Sequence, residues 1–339
     1  MGMTVDDTTG TAGIMELAQG FWASRALLSA VELDLFATLA EGPLTGEALR
    51  DRLGLHPRAA ADFLDSLVGL GLLRRDGDEY RNGGAAARHL AADGPGSLTG
   101  RLRLLAWRYR IWGDLTSLLR TGDQQAHRGG QDFQRFYGDQ DALRRFMAAM
   151  DANNAEIGPA LADALDWSGH TSFVDVGGAR GNLAADLVRA HPHLRAGCLD
   201  LPPVQPLFDE HMERLGLTGK VDFHPADFFA DPLPETEVMV FGHVLHDWDD
   251  EARVRLLRRA HDALPEGGRV VVYDALVGDG RDEPANLLRS LNMRLVTPGG
   301  SEYTPRECRA WLAAAGFEDV TVAPLVGVDS VVVARKAKG

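Results

Sequence analysis

The feature that most constrains this chain is an apolar run, Ser172-Phe173-Val174-Asp175-Val176, that passes without a break into Gly177-Gly178-Ala179-Arg180-Gly181 and then into a helical stretch, Asn182–His191. A short apolar run followed by glycines and a helix predicts a buried parallel strand entering its first crossover. The alternation continues. Arg195–Leu199, Lys220–His224, Glu237–Phe241 and Arg269–Asp274 read as strands, with helices at 203–216 and 249–264. A Thr304–Ala315 helix precedes two last strands, Val320–Ala323 and Asp329–Ala334. Residues 166–339 are therefore expected to form an α/β domain, a Rossmann-like, doubly wound and mainly parallel sheet.

The preceding half has a different rhythm. Residues 1–10 are expected to be a disordered start. Ile14, Leu17, Phe21, Leu28, Val31, Leu35 and Leu39 recur at helical spacing, so 12–41 reads as an amphipathic helix with one break. Pro43-Leu44-Thr45 is expected to start a short helix through Leu53, and His56-Pro57 to open a second. A hairpin follows, turning at Asp76-Gly77-Asp78. Two helices and a hairpin make a winged-helix pattern within residues 1–100. Residues 98–160 read as helical, with turns at Thr121–Gly130 and Gly138–Gln140.

At 339 residues the chain is expected to hold more than one core. Its formal net charge of −14 argues against nucleic acid or anionic membrane as the main partner. A winged-helix DNA-binding regulator is the distant alternative. Its recognition helix would need basic residues, yet the segment from His56 to Asp65 sets Arg58 against Asp62 and Asp65. No run of membrane-spanning length, signal sequence or metal-type cysteine spacing occurs, so a cytoplasmic protein without disulfides is expected.

Ligands of open α/β sheets bind at the carboxyl ends of the strands. Dinucleotide loops carry glycine at the first, third and sixth positions; counted from Gly177 these are Gly177, Ala179 and Asn182, so that pattern fails. An acid before a glycine loop suits a ligand with an ammonium and a sulfonium rather than a phosphate. Gly177 and Gly178 would let the backbone approach its methionine portion, and Asp175 would offset its charge. Asp200 suits ribose hydroxyls, and Asp227-Phe228 suits adenine. Singly, each acid could be a solvated loop residue. Together, at successive strand ends, they point to S-adenosyl-L-methionine.

Phe241-Gly242-His243-Val244-Leu245-His246-Asp247-Trp248 follows the fourth strand on the same edge. A phenol has a pKa of about 10, so a histidine with a pKa near neutrality could take its proton during transfer. Asp274 and Glu302 are expected to converge on His246 and fix its tautomer. The bland reading makes either histidine a packing residue, and His243 is left as pocket lining. His243, His246 and Asp247 do not make a convincing metal set, so no metal is expected.

At Asp175-Val176-Gly177-Gly178, Asp200-Leu201-Pro202, Asp227-Phe228, His246-Asp247-Trp248 and Gly299-Gly300-Ser301-Glu302 the chain resembles the small-molecule O-methyltransferase family that includes plant caffeate- and flavonoid-type enzymes and bacterial antibiotic-tailoring enzymes. The resemblance spans almost the whole chain. It implies an N-terminal winged-helix dimerisation domain over 1–100, a helical linker over 101–165 that contributes to the acceptor pocket, and a catalytic domain over 166–339. It implies that Gly177, Asp200, Asp227 and Phe228 contact the cofactor, that His246 is the base flanked by Asp274 and Glu302, and that Phe146, Met150, Asn292 and Met293 line the pocket. A homodimer and a small aromatic, hydroxylated acceptor are implied, as in secondary-metabolite biosynthesis. Methylation of a ring carbon by the same base is the alternative. Two departures stand out. Ala179 replaces a glycine, which is expected only to narrow the loop. Gly242 stands where many relatives carry a lysine, leaving at most a backbone contact to the cofactor.

Overall fold

The computed structural model describes residues 10–92, 96–126 and 137–339. The chain divides into two compact units, Met1–Arg110 with Ala148–Asn153, and Ile111–Met147 with Asn154–Gly339.

In the second unit seven strands form one sheet. They are β4 (Ser172–Val176), β5 (Arg195–Asp200), β6 (Val221–Pro225), β7 (Val238–Gly242), β8 (Arg269–Asp274), β9 (Phe317–Val326) and β10 (Asp329–Lys336), in the order β6-β5-β4-β7-β8-β10-β9. β4 to β8 run parallel, and β10 is antiparallel to both neighbours. All five residues of β4 are buried, as expected for a central strand covered on both faces. Alternation sends Val174, Val176, Met239, Phe241, Val270 and Val272 to one core, and Phe173, Val238, Val240, Val271 and Tyr273 to the other. The strand order reverses between β4 and β7, which opens a crevice where their loops part. Both sequence features singled out for chemistry, the glycine loop and the histidine turn, emerge at that crevice.

The helices Asn182–Ala190, Gln205–Leu215, Asp250–Ala263 and Pro305–Ala314 stand where the apolar spacing places them. Asp249 caps Asp250–Ala263, its Oδ1 accepting from Ala252 N at 2.9 Å. One helix, Pro284–Val296, was not foreseen; Pro284 occupies its first turn.

The first unit holds a small sheet in the order β1-β3-β2, with β1 Leu44–Thr45, β2 Leu73–Asp76 and β3 Glu79–Asn82. The two helices before the hairpin are Gly46–Leu53 and Pro57–Gly69. Leu44–Thr45 is extended, against expectation, because it pairs with Tyr80 and Glu79; Thr45 then caps the helix through its hydroxyl. The N-terminal helix is broken twice rather than once. It runs Gly10–Gln19, Phe21–Glu32 and Leu35–Thr38, and Asp34 takes a left-handed backbone at φ 54°. Of the expected disordered start only Gly10 lies among the described residues, and it is helical; the 121–130 turn is only partly described. Among the described residues no helix is long and apolar enough to cross a membrane.

Candidate active site

The glycine loop after β4 is tied down by backbone bonds. Gly177 N and Gly178 N both donate to Leu199 O on β5, at 2.8 and 3.2 Å. Gly177 has φ 76°, and a Cβ there would lie 2.7 Å from Val244 Cγ2. A Cβ at Gly178 would lie 2.6 Å from Asp175 Oδ2 and 2.8 Å from Cys198 Sγ. No side chain fits at either place. Ala179 does more than narrow the loop. It adopts φ 51°, a left-handed conformation that costs an L-residue about 1 kcal/mol, and its N–H donates to Asp200 Oδ2 at 2.8 Å. Leu201 N donates to the other oxygen, Oδ1, at 2.7 Å.

Asp175 and Asp200 are both buried, and among the described residues neither forms an ion pair. Burial, with Asp200 nearby, pushes Asp175 up to about 7. Burial pushes Asp200 to about 6 against the pull of its two N–H donors. Two buried acids with no cation of their own, beside two glycines that leave no room for a side chain, fit a ligand that brings an ammonium and a sulfonium. Asp227 is exposed, and its Oδ1 accepts from Phe229 N at 2.8 Å, leaving the other oxygen for a ligand. The Phe228 ring stands edge-on to Trp248 with centroids 6.0 Å apart, and its Cε1 is 3.8 Å from where a Gly177 Cβ would be.

His246 sits in the short turn Leu245–Asp247 after β7. Its Nδ1 is 3.2 Å from Asp274 Oδ1 and 3.2 Å from Glu302 Oε1; its Nε2 is 3.7 Å from Asp247 Oδ1. The two acids thus meet on one ring nitrogen and leave the other for a reactant. Asp274 is fully buried, with Oδ2 accepting from Tyr303 Oη at 2.5 Å. The sequence led us to expect a histidine near neutrality, and the structure corrects this. Burial opposes the charge on His246, but Glu302 and Asp274 outweigh it and the ring is pushed up to about 10. Burial raises Asp274 to about 6 despite the imidazolium beside it. The ligand atoms of His246, Asp274 and Glu302 lie within 4.8 Å of one another, a grouping that could also hold a metal ion; the set considered from sequence, with His243 and Asp247, is a different one.

Glu302 is delivered by a clamp. Ser301 N donates to His246 O at 2.9 Å, and a Cβ at Gly300 would lie 2.4 Å from that same oxygen. The buried Arg253 donates through Nε to Leu245 O (2.8 Å) and through Nη2 to Ser301 O (2.6 Å), and its guanidinium lies over the Tyr303 and Trp311 rings. One cation therefore joins the histidine turn to the glutamate loop. Sequence reading missed Arg253, although a signal existed: it falls in step with Leu256, Leu257 and Ala260 on the buried stripe of its helix. Tyr303 and Asp329 were missed as well. His243 stacks on His246, with centroids 5.5 Å apart and planes 6° apart, and its Nε2 is 3.0 Å from Asp329 Oδ1. That nitrogen is engaged by the protein itself.

Of the pocket residues, Asn292 and Met293 lie on Pro284–Val296, where Asn292 Oδ1 accepts from Trp112 Nε1 at 3.2 Å and Met293 is buried. Phe146 packs with Leu143, Met147, Val204 and Leu207. Met150 belongs to the other compact unit. Tyr137, also missed, has its hydroxyl pushed up by burial and by the charges of Asp200 and Asp247, so it lies near both halves of the site.

Comparison with known proteins supplies independent findings. Residues 112–318 match the model of the O-methyltransferase domain, and residues 15–92 match that of the O-methyltransferase dimerisation domain. The tetracenomycin polyketide synthesis 8-O-methyl transferase of Streptomyces glaucescens is 50% identical over 97% of this chain and 98% of its own. An N,N-dimethyltransferase of Streptomyces rimosus is 41% identical, over 90% of each chain. Human N-acetylserotonin methyltransferase, solved in complex with S-adenosylmethionine, superposes with a TM-score of 0.87 at 30% identity and full coverage of both chains.

Proposed function

The chain belongs to the O-methyltransferase family and is an S-adenosylmethionine-dependent methyltransferase, and from that premise we propose that it methylates a phenolic hydroxyl of an aromatic polyketide with His246 as general base. The cofactor supplies an activated methyl group on a positive sulfonium. The protein's task is to deprotonate and align the acceptor. The observation that carries the reading is the pair of carboxylates on His246 Nδ1, which fixes the tautomer and leaves Nε2 to face a hydroxyl. A conjugate acid near 10 matches a phenol of about 10, so proton transfer between them is close to balanced. Asp200 would hold the ribose, Asp227 and Phe228 the adenine, and Asp175 with Gly177, Gly178 and the Gly242 backbone the methionine portion. Phe146, His243, Asn292 and Met293 would line the acceptor pocket.

Incubation with isotope-labelled cofactor and hydroxylated polycyclic aromatics tests the reading. The label is expected on oxygen; a label on ring carbon, located by NMR, would favour the alternative in which the same phenolate reacts through carbon. A second reading, a metal ion on His246, Asp274 and Glu302, rests on their clustering and predicts turnover that a chelator abolishes and a divalent cation restores. The base reading expects no such dependence.

We also propose a two-fold homodimer. The N-terminal helices leave Ile14, Met15, Leu17, Phe21 and Trp22 exposed, an apolar stripe that a second copy would cover. Light scattering should give twice the chain mass of 36.7 kDa.

A further inference from the structure

Gly242 ends β7 directly before the histidine turn, and its want of a side chain has a cause on the neighbouring strand. In the parallel register of β7 with β8, Gly242 faces Tyr273. A Cβ built on Gly242 would lie 1.9 Å from Tyr273 Cζ and 2.0 Å from its hydroxyl oxygen. The phenol tip therefore occupies the space that any side chain at 242 would need. A residue larger than glycine at 242 and the observed tyrosine conformation exclude one another.

The register also gives the direction in which the ring leans. Asp175 pairs with Val240, and Val240 with Val271; two residues on, Gly242 pairs with Tyr273. Side chains two apart share a sheet face, so Tyr273 crosses the end of β7 on the face that carries Asp175. His243 fixes it from the side, its ring edge-on with centroids 5.3 Å apart and its N–H donating to Tyr273 O at 3.0 Å. Tyr273 is buried, yet among the described residues no hydrogen bond reaches its hydroxyl. Its oxygen is not enclosed and is open to a ligand, a contact that phenylalanine in the same space would not offer.

We propose that Tyr273 is a cofactor-binding residue whose hydroxyl, seated over Gly242, donates to the carboxylate at the amino-acid end of S-adenosylmethionine. This rests on the cofactor assignment above. Sheet order β6-β5-β4-β7 lays adenine, ribose and methionine subsites in a row, and Tyr273 stands at the end of that row. Asp175 can meet an ammonium there but would repel a carboxylate; a neutral hydroxyl can accommodate one.

Calorimetry on the full chain tests this with two probes. S-adenosylhomocysteine carries the amino-acid end, and 5′-methylthioadenosine shares the adenosine and sulfur but lacks that end. Tyr273→Phe should weaken S-adenosylhomocysteine by about 10- to 150-fold, the worth of one hydrogen bond to a charged group, and leave 5′-methylthioadenosine unchanged. Equal affinity of Tyr273→Phe and the parent for S-adenosylhomocysteine would overturn the proposal, as would a parallel loss for both probes, which would make the ring a shaper of the crevice. Failure of the parent itself to bind S-adenosylhomocysteine would strike the cofactor assignment instead.

Discussion

The two halves of the crevice are built from different materials. On the β4–β5 side the backbone does the work: glycines without room for a Cβ, and an aspartate whose two oxygens take main-chain N–H groups. On the β7–β8 side, side chains do it. His246 comes from the histidine turn, Arg253 from the helix Asp250–Ala263, Asp274 from β8, and Glu302 and Tyr303 from the 297–304 loop; ion pairs on His246, a hydrogen bond from Tyr303 and the Arg253 clamp on two carbonyls hold them together. A backbone-built cradle tolerates the loss of a single side chain, because its shape survives. A cluster of buried ions does not, because removing one member leaves the others unpaired.

That contrast orders the expected effects. The largest falls on His246. His246→Ala should lower turnover by about 10²–10⁴ with cofactor affinity nearly unchanged. In the proposed role His246 must be neutral to act, and with its conjugate acid at about 10 only about one ring in a thousand is ready at pH 7. The parent's kcat/KM should therefore climb with pH toward 10, and the deficit of the variant should shrink as solvent supplies the phenolate. Wild-type turnover in His246→Ala at neutral pH would reduce the residue to pocket lining.

Next comes Arg253. Arg253→Leu strips Leu245 O and Ser301 O of their donor in the interior and should cost roughly 3 kcal/mol in denaturant titration. Turnover should fall with it, whereas cofactor binding, whose proposed contacts do not include Arg253, should hold. Asp200→Ala should show the reverse, weakening cofactor by roughly 1–3 kcal/mol in calorimetry while leaving the histidine cluster intact. Equal loss of binding in both variants would erase the distinction between the two halves.

The halves should also separate by pH. Asp175 and Asp200 are raised from 3.8 to about 7 and 6, so their contribution to stability is full below pH 3.8 and is lost as pH rises through 6 to 7. Asp274, raised to about 6, adds to that window. His246 is raised from 6.5 to about 10, so its contribution is full below pH 6.5 and disappears as pH rises through 10. Melting temperature against pH should fall in two steps. Asp200→Asn should shrink the first, and His246→Gln should remove the second. The smallest effect belongs to Ala179→Gly, which relieves the left-handed strain and should change stability by no more than about 1 kcal/mol.

By itself the sequence determined the seven strands of the large sheet, their order of appearance and the acids and histidine at their ends. Each is a local matter. Apolar runs such as Ser172–Val176 must be buried strands, and a glycine loop with acids at successive strand ends needs no knowledge of the partner strand. What escaped was decided by distant partners. Leu44–Thr45 became a strand because Tyr80 and Glu79 lay alongside it. Arg253 became a clamp because its helix turned it inward beneath two loops. Gly242 gained its meaning from Tyr273, thirty-one positions on and one strand over. That Asp274 and Glu302 meet at His246 was legible, but the proton affinity of the ring was not. A histidine's pKa is set by which charges surround it and how dry they are, and only the tertiary structure sets two carboxylates 3.2 Å from one ring nitrogen.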